Sequence, residues 1–319
     1  MRISAVVATC DGAPHVGVQL RSILGQRRPP DEVIVADDAS TDGTPGLVEA
    51  ILGEAPATVA TDLIRGAERA GLPGNLERAL ARASGDVVLF ADQDDAWELH
   101  KLDVVEARFR RDPALQLLFT DATLIDAEGA VAPGARLWDR TGFTPRRRRA
   151  FARDPLGVLL RRTVVTGATM AVRRDLLDAM RPLPREGWHD AWLALGAALR
   201  GPTAIAALPA PLIRYRLHGG NLAGVPGRGA WARYGSLRWP REPVLAQWER
   251  LADVATATPQ ATGRLDGAIR FHRRRQTLPA GPAARLPAVV RRLPDYARAP
   301  GGVRAAAWDL TSPLVMPDR

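Results

Sequence analysis

The chain has a single cysteine, a single lysine and few aromatic residues, and it lacks any long uncharged apolar run. Because Cys10 has no second cysteine to pair with, an internal disulfide is excluded and a reducing, cytoplasmic compartment is expected. No stretch of about 18 apolar residues predicts a membrane span. The first residues also lack the apolar core and cleavage site of a secretory signal. A hydrophobic fraction of 46% and a charged fraction of 25% are typical of a globular protein.

The net charge of +9 arises entirely from the last hundred residues. Residues 1–219 contain 28 basic and 28 acidic side chains, whereas residues 220–319 contain 16 arginines and 7 acidic residues. Arginine runs such as PRRRRAFAR and FHRRRQTL suggest nucleic-acid binding, but such runs are more often solvated surface, so nucleic acid is not the favoured partner. We expect residues 223–319 to be a basic, mainly helical or partly disordered appendage that can contact anionic lipid headgroups. The tryptophans expected to take part in that contact are Trp231, Trp239 and Trp248.

The first 125 residues alternate between apolar, β-branched runs and segments of helical periodicity, which predicts strands and helices in turn. Strands are expected at 3–9, 32–38, 57–64, 86–92 and 115–126. Helices are expected at 15–26, 44–54, 72–84 and 100–112, with Thr44 as the N-cap of the second helix. Beyond this region we expect a strand at 166–174, a helix at 189–201 and a strand at 210–221. The pattern predicts an α/β fold with a mostly parallel central sheet flanked by helices.

Polar side chains follow three of the predicted strands, at the point where each strand ends. These are Thr9-Cys10-Asp11, Asp37-Asp38 and Asp92-Gln93-Asp94-Asp95. In sheets of this class ligands collect at the carboxyl ends of the strands, so we expect the three groups to share one site.

The stretch VVLFADQDDAWELHKLD places three carboxylates directly after an apolar strand. In an extended segment residues 92 and 94 point the same way, so both carboxylates can reach one ligand. Carboxylate oxygens suit Mg²⁺ or Mn²⁺, which usually also bind substrate phosphates. The alternative is a solvated acidic loop or a helix cap. The chain has neither a G-x-G-x-x-G nor a G-x-x-x-x-G-K-S/T motif, so a bound phosphate needs another positive group, and a metal on Asp94 would supply it.

Several segments resemble family 2 glycosyltransferases, which have the GT-A fold. The opening ISAVVATCDGAPHVGVQLRSILGQRRPPDEVIVADDASTDGT and the middle segment GLPGNLERALARASGDVVLFADQDDAWELHKL are similar to that family. Later segments, TGATMAVRRDLL, HDAWLAL and YRLHGGN, resemble its rhamnosyltransferase-like members. The resemblance covers roughly residues 2–222, and it implies a GT-A domain over 1–222 followed by the appendage at 223–319.

The resemblance also implies roles for the polar residues at the strand ends. Thr9 and Asp11 would line the nucleotide pocket, although the family more often has Tyr-Asn where this chain has Cys10-Asp11. Asp38 would contact the base, with a capped turn through Asp42 and Gly43 as the alternative interpretation. Asn75 would be a polar residue of the same pocket.

The remaining implied roles concern the sugar, the metal and the proton. Asp92 would hold the ribose or sugar of the donor, Asp94 would bind the metal, and His218 would help to hold the metal or diphosphate. Asp190 matches the catalytic base of the family. A carboxylate in that position can accept the proton of an attacking sugar hydroxyl. The alternative is a residue that only favours the start of a helix. His189 either tunes Asp190 or only occupies the helix entrance, and the second role is the one expected. Trp192 is expected in the core.

These features predict an inverting, metal-dependent glycosyltransferase. It would move a sugar from a nucleoside-diphosphate donor, of the dTDP-rhamnose or UDP-hexose class, to a hydroxyl of a glycan or lipid-linked acceptor. Two alternatives remain at this point. A sugar-1-phosphate nucleotidyltransferase would need a glycine-rich basic loop after the first strand, which TCDGAPHVG matches poorly. A non-catalytic module that binds nucleotide sugars or nucleic acid would have no turnover. Replacing Asp94 or Asp190 with alanine would then abolish no activity.

Overall fold

A computed structural model describes residues 1–185, 187–218, 242–279, 282–298, 306–307 and 309–310. The expectations for Trp231 and Trp239, and for the domain boundary at residue 222, lie outside these residues. Among the described helices, none combines the length and the apolar character needed to cross a membrane.

The described strands form one nine-stranded sheet in the order β3-β2-β1-β4-β8-β6-β9-β5, with β7 paired to β6. Their bounds are β1 Ile3–Thr9, β2 Glu32–Asp37, β3 Ala60–Arg65, β4 Val87–Asp92, β5 Ala96–Trp97, β6 Leu117–Ile125, β7 Val131–Arg136, β8 Met170–Arg173 and β9 Ile205–Arg216.

Strands β1 to β4 are mutually parallel, as the alternation of strands and helices predicts. The sheet becomes mixed after them, because β8 runs antiparallel to both β4 and β6. Strand β6 pairs parallel to β9, and the short strands β5 and β7 add antiparallel edges. The sequence pattern predicts the parallel half, where each strand is followed by a helix. It misses β5, which has only two residues, and β7, whose sequence VAPGAR is interrupted by proline and glycine.

Thirteen helices are described around the sheet, with a 3₁₀ turn at Gly167–Thr169. They are α1 Val16–Leu24, α2 Thr44–Gly53, α3 Gly71–Leu80, α4 Lys101–Arg111, α5 Leu137–Thr141, α6 Pro145–Arg153, α7 Pro155–Leu159, α8 Arg174–Met180, α9 His189–Arg200, α10 Glu242–Val254, α11 Pro259–Gln276, α12 Pro282–Arg291 and α13 Leu293–Arg298. The expected N-cap of α2 is displaced by one residue, because Gly43 is the cap and Thr44 begins the helix. The Thr44 hydroxyl instead accepts a hydrogen bond from the amide of Gly12 (2.8 Å), which joins the starts of α1 and α2.

Two apolar layers cover the two faces of the sheet. Helices α1, α2 and α4 bury one layer, and α3 together with α6 to α11 buries the other. Trp192 is buried in the second layer, as expected, and its indole nitrogen donates to the carbonyl of Met180 (2.8 Å). Trp248 of α10 lies in the same layer with no exposed surface. The expectation that it contacts lipid is therefore wrong, because a large aromatic on a packed helix face is buried in preference.

Candidate functional site

The carboxyl ends of β1, β2 and β4 adjoin because these strands are neighbours in the sheet. Thr9 lies opposite Asp37, and Ala8 lies opposite Asp92. The side-chain amide of Gln93 joins the ends of β1 and β4 by two hydrogen bonds. Its oxygen accepts from the Cys10 amide (2.8 Å), and its nitrogen donates to the Cys10 carbonyl (3.0 Å). The three polar groups at the strand ends thus lie along one edge of the sheet.

The acidic cluster follows β4 directly. Carboxylate oxygens of Asp92, Asp94 and Asp95 lie within 4.8 Å of one another. The Nε2 atom of His218 lies 2.8 Å from Oδ2 of Asp94, so the C-terminal end of the β9 segment closes this cluster. Oxygen ligands from two carboxylates, with one imidazole nitrogen beside them, are a donor set that fits Mg²⁺ or Mn²⁺.

Asp95 differs from its two neighbours because it is buried and tied to the fold. Its Oδ1 accepts a hydrogen bond from the Arg216 amide (2.9 Å), while its Oδ2 is buried without a hydrogen-bond partner among the described residues. The guanidinium of Arg216 donates to the Asp94 carbonyl (2.7 Å). The end of β9 therefore holds the backbone of the acidic loop.

Burial and mutual repulsion shape the charges of this cluster. Burial, followed by the carboxylates of Asp94 and Asp190, raises the pKa of Asp92 to about 7. Burial also raises the pKa of Asp95 well above its usual range. The only lysine of the chain, Lys101, is 1% exposed and lies with its Nζ atom 3.9 Å from the centre of the Trp97 ring. When protonated, Lys101 lowers the pKa of Asp92 and Asp95 in part, whereas burial lowers the pKa of Lys101 itself well below its usual value.

Asp190 comes near the acidic cluster from a different element, helix α9. It lies in the first turn of α9, where the Ala191 amide donates to its Oδ1 (2.6 Å). Burial raises the pKa of Asp190 to about 6. Hydrogen bonds from the backbone of Ala191 and Gly167 lower this pKa, but burial is the larger effect. The charge of Asp190 contributes to the raised pKa of Asp92, so the two carboxylates lie within electrostatic reach of each other. A half-buried carboxylate with a pKa near neutrality is typical of a general base.

His189 precedes Asp190 in the chain and is buried in the fold. Its ring is buried against Phe90, with ring centres 5.6 Å apart, and burial lowers the pKa of the imidazole to about 4. The ring also covers Gly167 so closely that a Cβ atom there would lie 2.6 Å from Nε2. His189 is thus a neutral packing residue at the helix entrance, as the sequence predicts.

Thr9 and Asp11, the expected nucleotide-pocket residues, lie in different environments. Thr9 is 1% exposed and its hydroxyl donates to Asp37 (2.9 Å). Asp11 is exposed, has a positive φ of 47° and accepts from the Thr41 amide (2.8 Å). Hydrogen bonds from Thr41, and the guanidinium of Arg69 paired with it, lower the pKa of Asp11. Asp11 therefore forms the open rim of this edge, and Thr9 lies beneath it.

Asp38 and Asn75, the other expected nucleotide-site residues, are both engaged in the fold. The carboxylate of Asp38 accepts from the amides of Ala70 (2.7 Å) and Gly71 (2.8 Å), and pairs with Arg78. It thereby satisfies free amides at the start of α3, and a nucleobase would have to compete with these hydrogen bonds.

The Asn75 side-chain nitrogen donates to the Ala36 carbonyl (2.7 Å), which ties α3 to the end of β2. Its Oδ1 is buried and has no hydrogen-bond partner among the described residues.

Two residues that sequence reasoning did not select also lie at the cleft. Burial, and then the carboxylates of Asp92, Asp95, Asp94 and Asp190, raise the pKa of the Tyr215 phenol. The ring of His15 lies 5.2 Å from that of His218, although its spacing in the sequence suggested no shared site. Tyr215 lies near the end of β9, in the YRLH segment, and this segment is the signal in the sequence that points to it. No signal in the sequence points to His15, because only the fold brings the start of α1 to the end of β9.

A separate cavity of about 740 Å³ contains none of these residues. It lies at the opposite end of β6 and β9 and is lined by Arg108, Trp138, Arg148 and Ile205, among others. The candidate site is accordingly the region where the acidic loop, His218 and the start of α9 come together.

Comparisons with known proteins were made for the whole chain. A family model described as Glycosyl transferase family 2 matches residues 4–179. An uncharacterized glycosyltransferase of Nostoc sp. is 26% identical over 231 residues, which make up 69% of this chain and 66% of that protein. A putative teichuronic acid biosynthesis glycosyltransferase of Bacillus subtilis, TuaG, is 28% identical over 129 residues, which make up 40% of this chain and 49% of that protein. The chain thus spans less than two thirds of either relative's length.

Solved structures share the fold at low identity. S. aureus TarS in complex with UDP-GlcNAc has a TM-score of 0.59 at 17% identity, and the match covers 100% of this chain and 93% of that chain. A mannosyltransferase of Pyrobaculum calidifontis in complex with GDP-Man and Mn²⁺ has a TM-score of 0.54 at 22% identity, covering 98% and 86%. These matches confirm the expected α/β architecture of the GT-A class, followed by C-terminal helices.

Proposed function

The chain belongs to glycosyl transferase family 2, and from that premise we propose that it is an inverting, metal-dependent glycosyltransferase. The observation that carries the proposal is that Asp190 lies within electrostatic reach of Asp92, whose carboxylate clusters with that of Asp94. A carboxylate with a raised pKa on one side and a cation-binding donor set on the other supply the two functions that this transfer needs.

Asp190 acts as the general base in this proposal. The acceptor hydroxyl oxygen attacks the anomeric carbon, and its proton passes to the Asp190 carboxylate. The bond from the anomeric carbon to the diphosphate oxygen breaks, and the diphosphate leaves with the electron pair. Because attack and departure occur on opposite faces of the sugar, one displacement inverts the anomeric configuration. A positioned base of this kind contributes roughly 10²–10⁴-fold to the rate.

The acidic loop prepares the leaving-group side of the cleft. Asp94 and His218, with Asp92 beside them, are the residues that would hold a divalent cation, Mg²⁺ or Mn²⁺. When bound there, the cation offsets the negative charge of the departing diphosphate. Arg216 and Gln93 keep the loop in place through hydrogen bonds to its backbone and to β1.

We further propose a nucleoside-diphosphate sugar of the UDP-hexose or dTDP-rhamnose class as the donor. The TarS complex with UDP-GlcNAc and the mannosyltransferase complex with GDP-Man and Mn²⁺ support this class of donor and a metal. The teichuronic acid name of TuaG supports a cell-surface glycan or its lipid-linked precursor as the acceptor. The single free cysteine fits a cytoplasmic site of action.

A thermal-shift panel tests the donor class. The full chain is heated with UDP, dTDP and GDP and their sugars, each with and without Mn²⁺. The proposal expects one nucleoside diphosphate and its sugar to raise the melting temperature only when Mn²⁺ is present. Release of that nucleoside diphosphate, followed over time, then separates a transferase from a module that only binds. A shift of equal size without metal, or no shift with any compound, contradicts the proposal.

A further inference from the structure

The last described helices carry an apolar surface that the transfer chemistry does not use. On α12 and α13, Leu286 is 55% exposed, Val290 is 50% exposed and Leu293 is 46% exposed. Leu286 and Val290 are four residues apart on α12, so they share one face of that helix, and Leu293 begins the next helix, α13, two residues after α12 ends. We call these three residues the apolar strip.

The apolar strip is a separate face from the one that packs on the protein. Val289 and Tyr296 are buried in a small cluster with Phe271 of α11. The tyrosine hydroxyl donates to the Asp309 carboxylate, which also holds Arg275. The helices are therefore anchored by one face while the strip points outward.

The surroundings of the strip are apolar along its length and basic at its sides. Pro287, Pro294 and Ala297 are exposed beside it and add no charge. The sequence from 282 to 298 contains four arginines and a single acidic residue, Asp295, which pairs with Arg274 of α11. Arg291 is exposed, and the side chain of Arg274 is 63% exposed. The helix surface thus combines a strip of large apolar side chains with an excess of arginine.

We propose that the apolar strip binds the surface of a membrane that contains anionic lipids. A helix lying in the membrane plane buries its apolar face at the acyl boundary, and basic side chains at its edges meet the phosphates. Each arginine near an anionic surface adds to the attraction, and salt weakens it. A protein partner or a second copy fits less well, because one narrow strip is small beside the roughly 800 Å² that each side of a stable interface buries.

Vesicle co-sedimentation of the full chain tests the proposal. Wild-type protein is mixed with phosphatidylcholine vesicles, either pure or containing about 30% phosphatidylglycerol. The variant Leu286→Ser/Val290→Ser/Leu293→Ser removes the strip. The control Val18→Ser/Val131→Ser/Val254→Ser removes three equally exposed valines that are scattered over the surface. We expect wild type and control to bind the anionic vesicles, and the strip variant to bind at least about tenfold more weakly.

A fluorescent label gives a second, independent readout. In a Cys10→Ser background, Val290→Cys or Val254→Cys is labelled with an environment-sensitive dye. Anionic vesicles are expected to shift the emission to the blue at position 290 and not at position 254. This arm does not require the triple variant to fold.

The results that would overturn the proposal are distinct. They are equal vesicle binding by the strip variant, equal binding to neutral and anionic vesicles, or no shift at position 290. Absence of vesicle binding together with a concentration-dependent dimer that the strip variant loses would assign the surface to a second copy of the chain. None of these results bears on donor binding, so the proposed function is tested separately.

Discussion

Replacing Asp190 with asparagine removes the proposed base with little change of shape. The amide oxygen can still accept the hydrogen bond from the Ala191 backbone that Oδ1 accepts now. We expect kcat to fall by roughly 10²–10⁴-fold, since that is the usual contribution of a general base. Asp175→Asn is the matched control, because Asp175 is an exposed aspartate near the start of helix α8, and we expect its rate to be unchanged.

The pH dependence makes this prediction sharper. The base must be ionised to accept a proton, and the pKa of Asp190 is about 6. About 97% of it is ionised at about pH 7.5 and about 9% at about pH 5, so the wild-type rate should fall about tenfold between them. Asp190→Asn has no carboxyl group at this position, and the part of the pH profile that depends on Asp190 should be absent. Steady-state assays of nucleoside diphosphate release across this pH range measure both effects.

The free energy of unfolding gives an independent test of the raised pKa of Asp190. Because the pKa of Asp190 is raised on folding, the ionised carboxylate costs the folded state free energy, and this cost grows as pH rises from the ordinary value of 3.8 to about 6. Asp190→Asn should therefore be more stable than wild type at neutral pH, by up to about 3 kcal/mol. A variant that keeps its rate within tenfold, or that loses stability at neutral pH, would refute the assignment of Asp190 as a buried base.

Three further substitutions test how the fold positions the site. Gly167→Ala should destabilise by about 1–3 kcal/mol and lower kcat, because its Cβ would meet the buried ring of His189 at 2.6 Å. Gly267→Ala, which meets open space on a helix, is the control and should stabilise slightly. Asp38→Ala should lower the free energy of unfolding in urea by about 1–2 kcal/mol, because it removes the acceptor for the first amides of α3; an effect on donor KM without loss of stability would favour a nucleobase contact instead. Glu32→Gln should lower the free energy of unfolding by roughly 3 kcal/mol at neutral pH. Burial raises the pKa of Glu32, but hydrogen bonds from Ser4, Ser84 and Arg2 outweigh this effect and lower the pKa to about 2. That loss should shrink as pH falls from 4.5 towards 2, and a loss that is independent of pH would contradict it.

The sequence predicts the repetitive part of this fold well and its irregular part poorly. Strands β1, β2 and β4 are runs of apolar residues buried on both faces, so their composition alone identifies them. The antiparallel insertion of β8 between β4 and β6 depends on long-range pairing, which a local pattern does not encode. The same limit explains Trp248, whose burial depends on how α10 packs against α9.

For the site, the sequence identifies the acidic side chains better than it identifies the residues that contact them. The Asp92–Asp94 spacing at a strand end predicts the convergence that the structure has. It does not predict that the Arg216 amide donates to the buried Asp95, because this hydrogen bond joins segments far apart in the chain. It also does not predict that Lys101, which is close in the sequence, is buried within electrostatic reach of Asp92 and Asp95. The roles of the nucleotide-pocket residues remain predictions, and those of Thr9 and Asp38 must accommodate the hydrogen bonds that these residues already make.

Manganese binding followed by electron paramagnetic resonance tests the central claim most directly. Protein binding reduces the signal of free Mn²⁺, so a titration with and without the matching nucleoside diphosphate gives affinity and stoichiometry. The account predicts about one Mn²⁺ per chain, with tighter binding in the presence of the diphosphate. Asp94→Asn should abolish this binding and Asp190→Asn should retain it. Equal Mn²⁺ binding by wild type and Asp94→Asn would contradict the claim that the acidic loop after β4 holds the cation and the diphosphate.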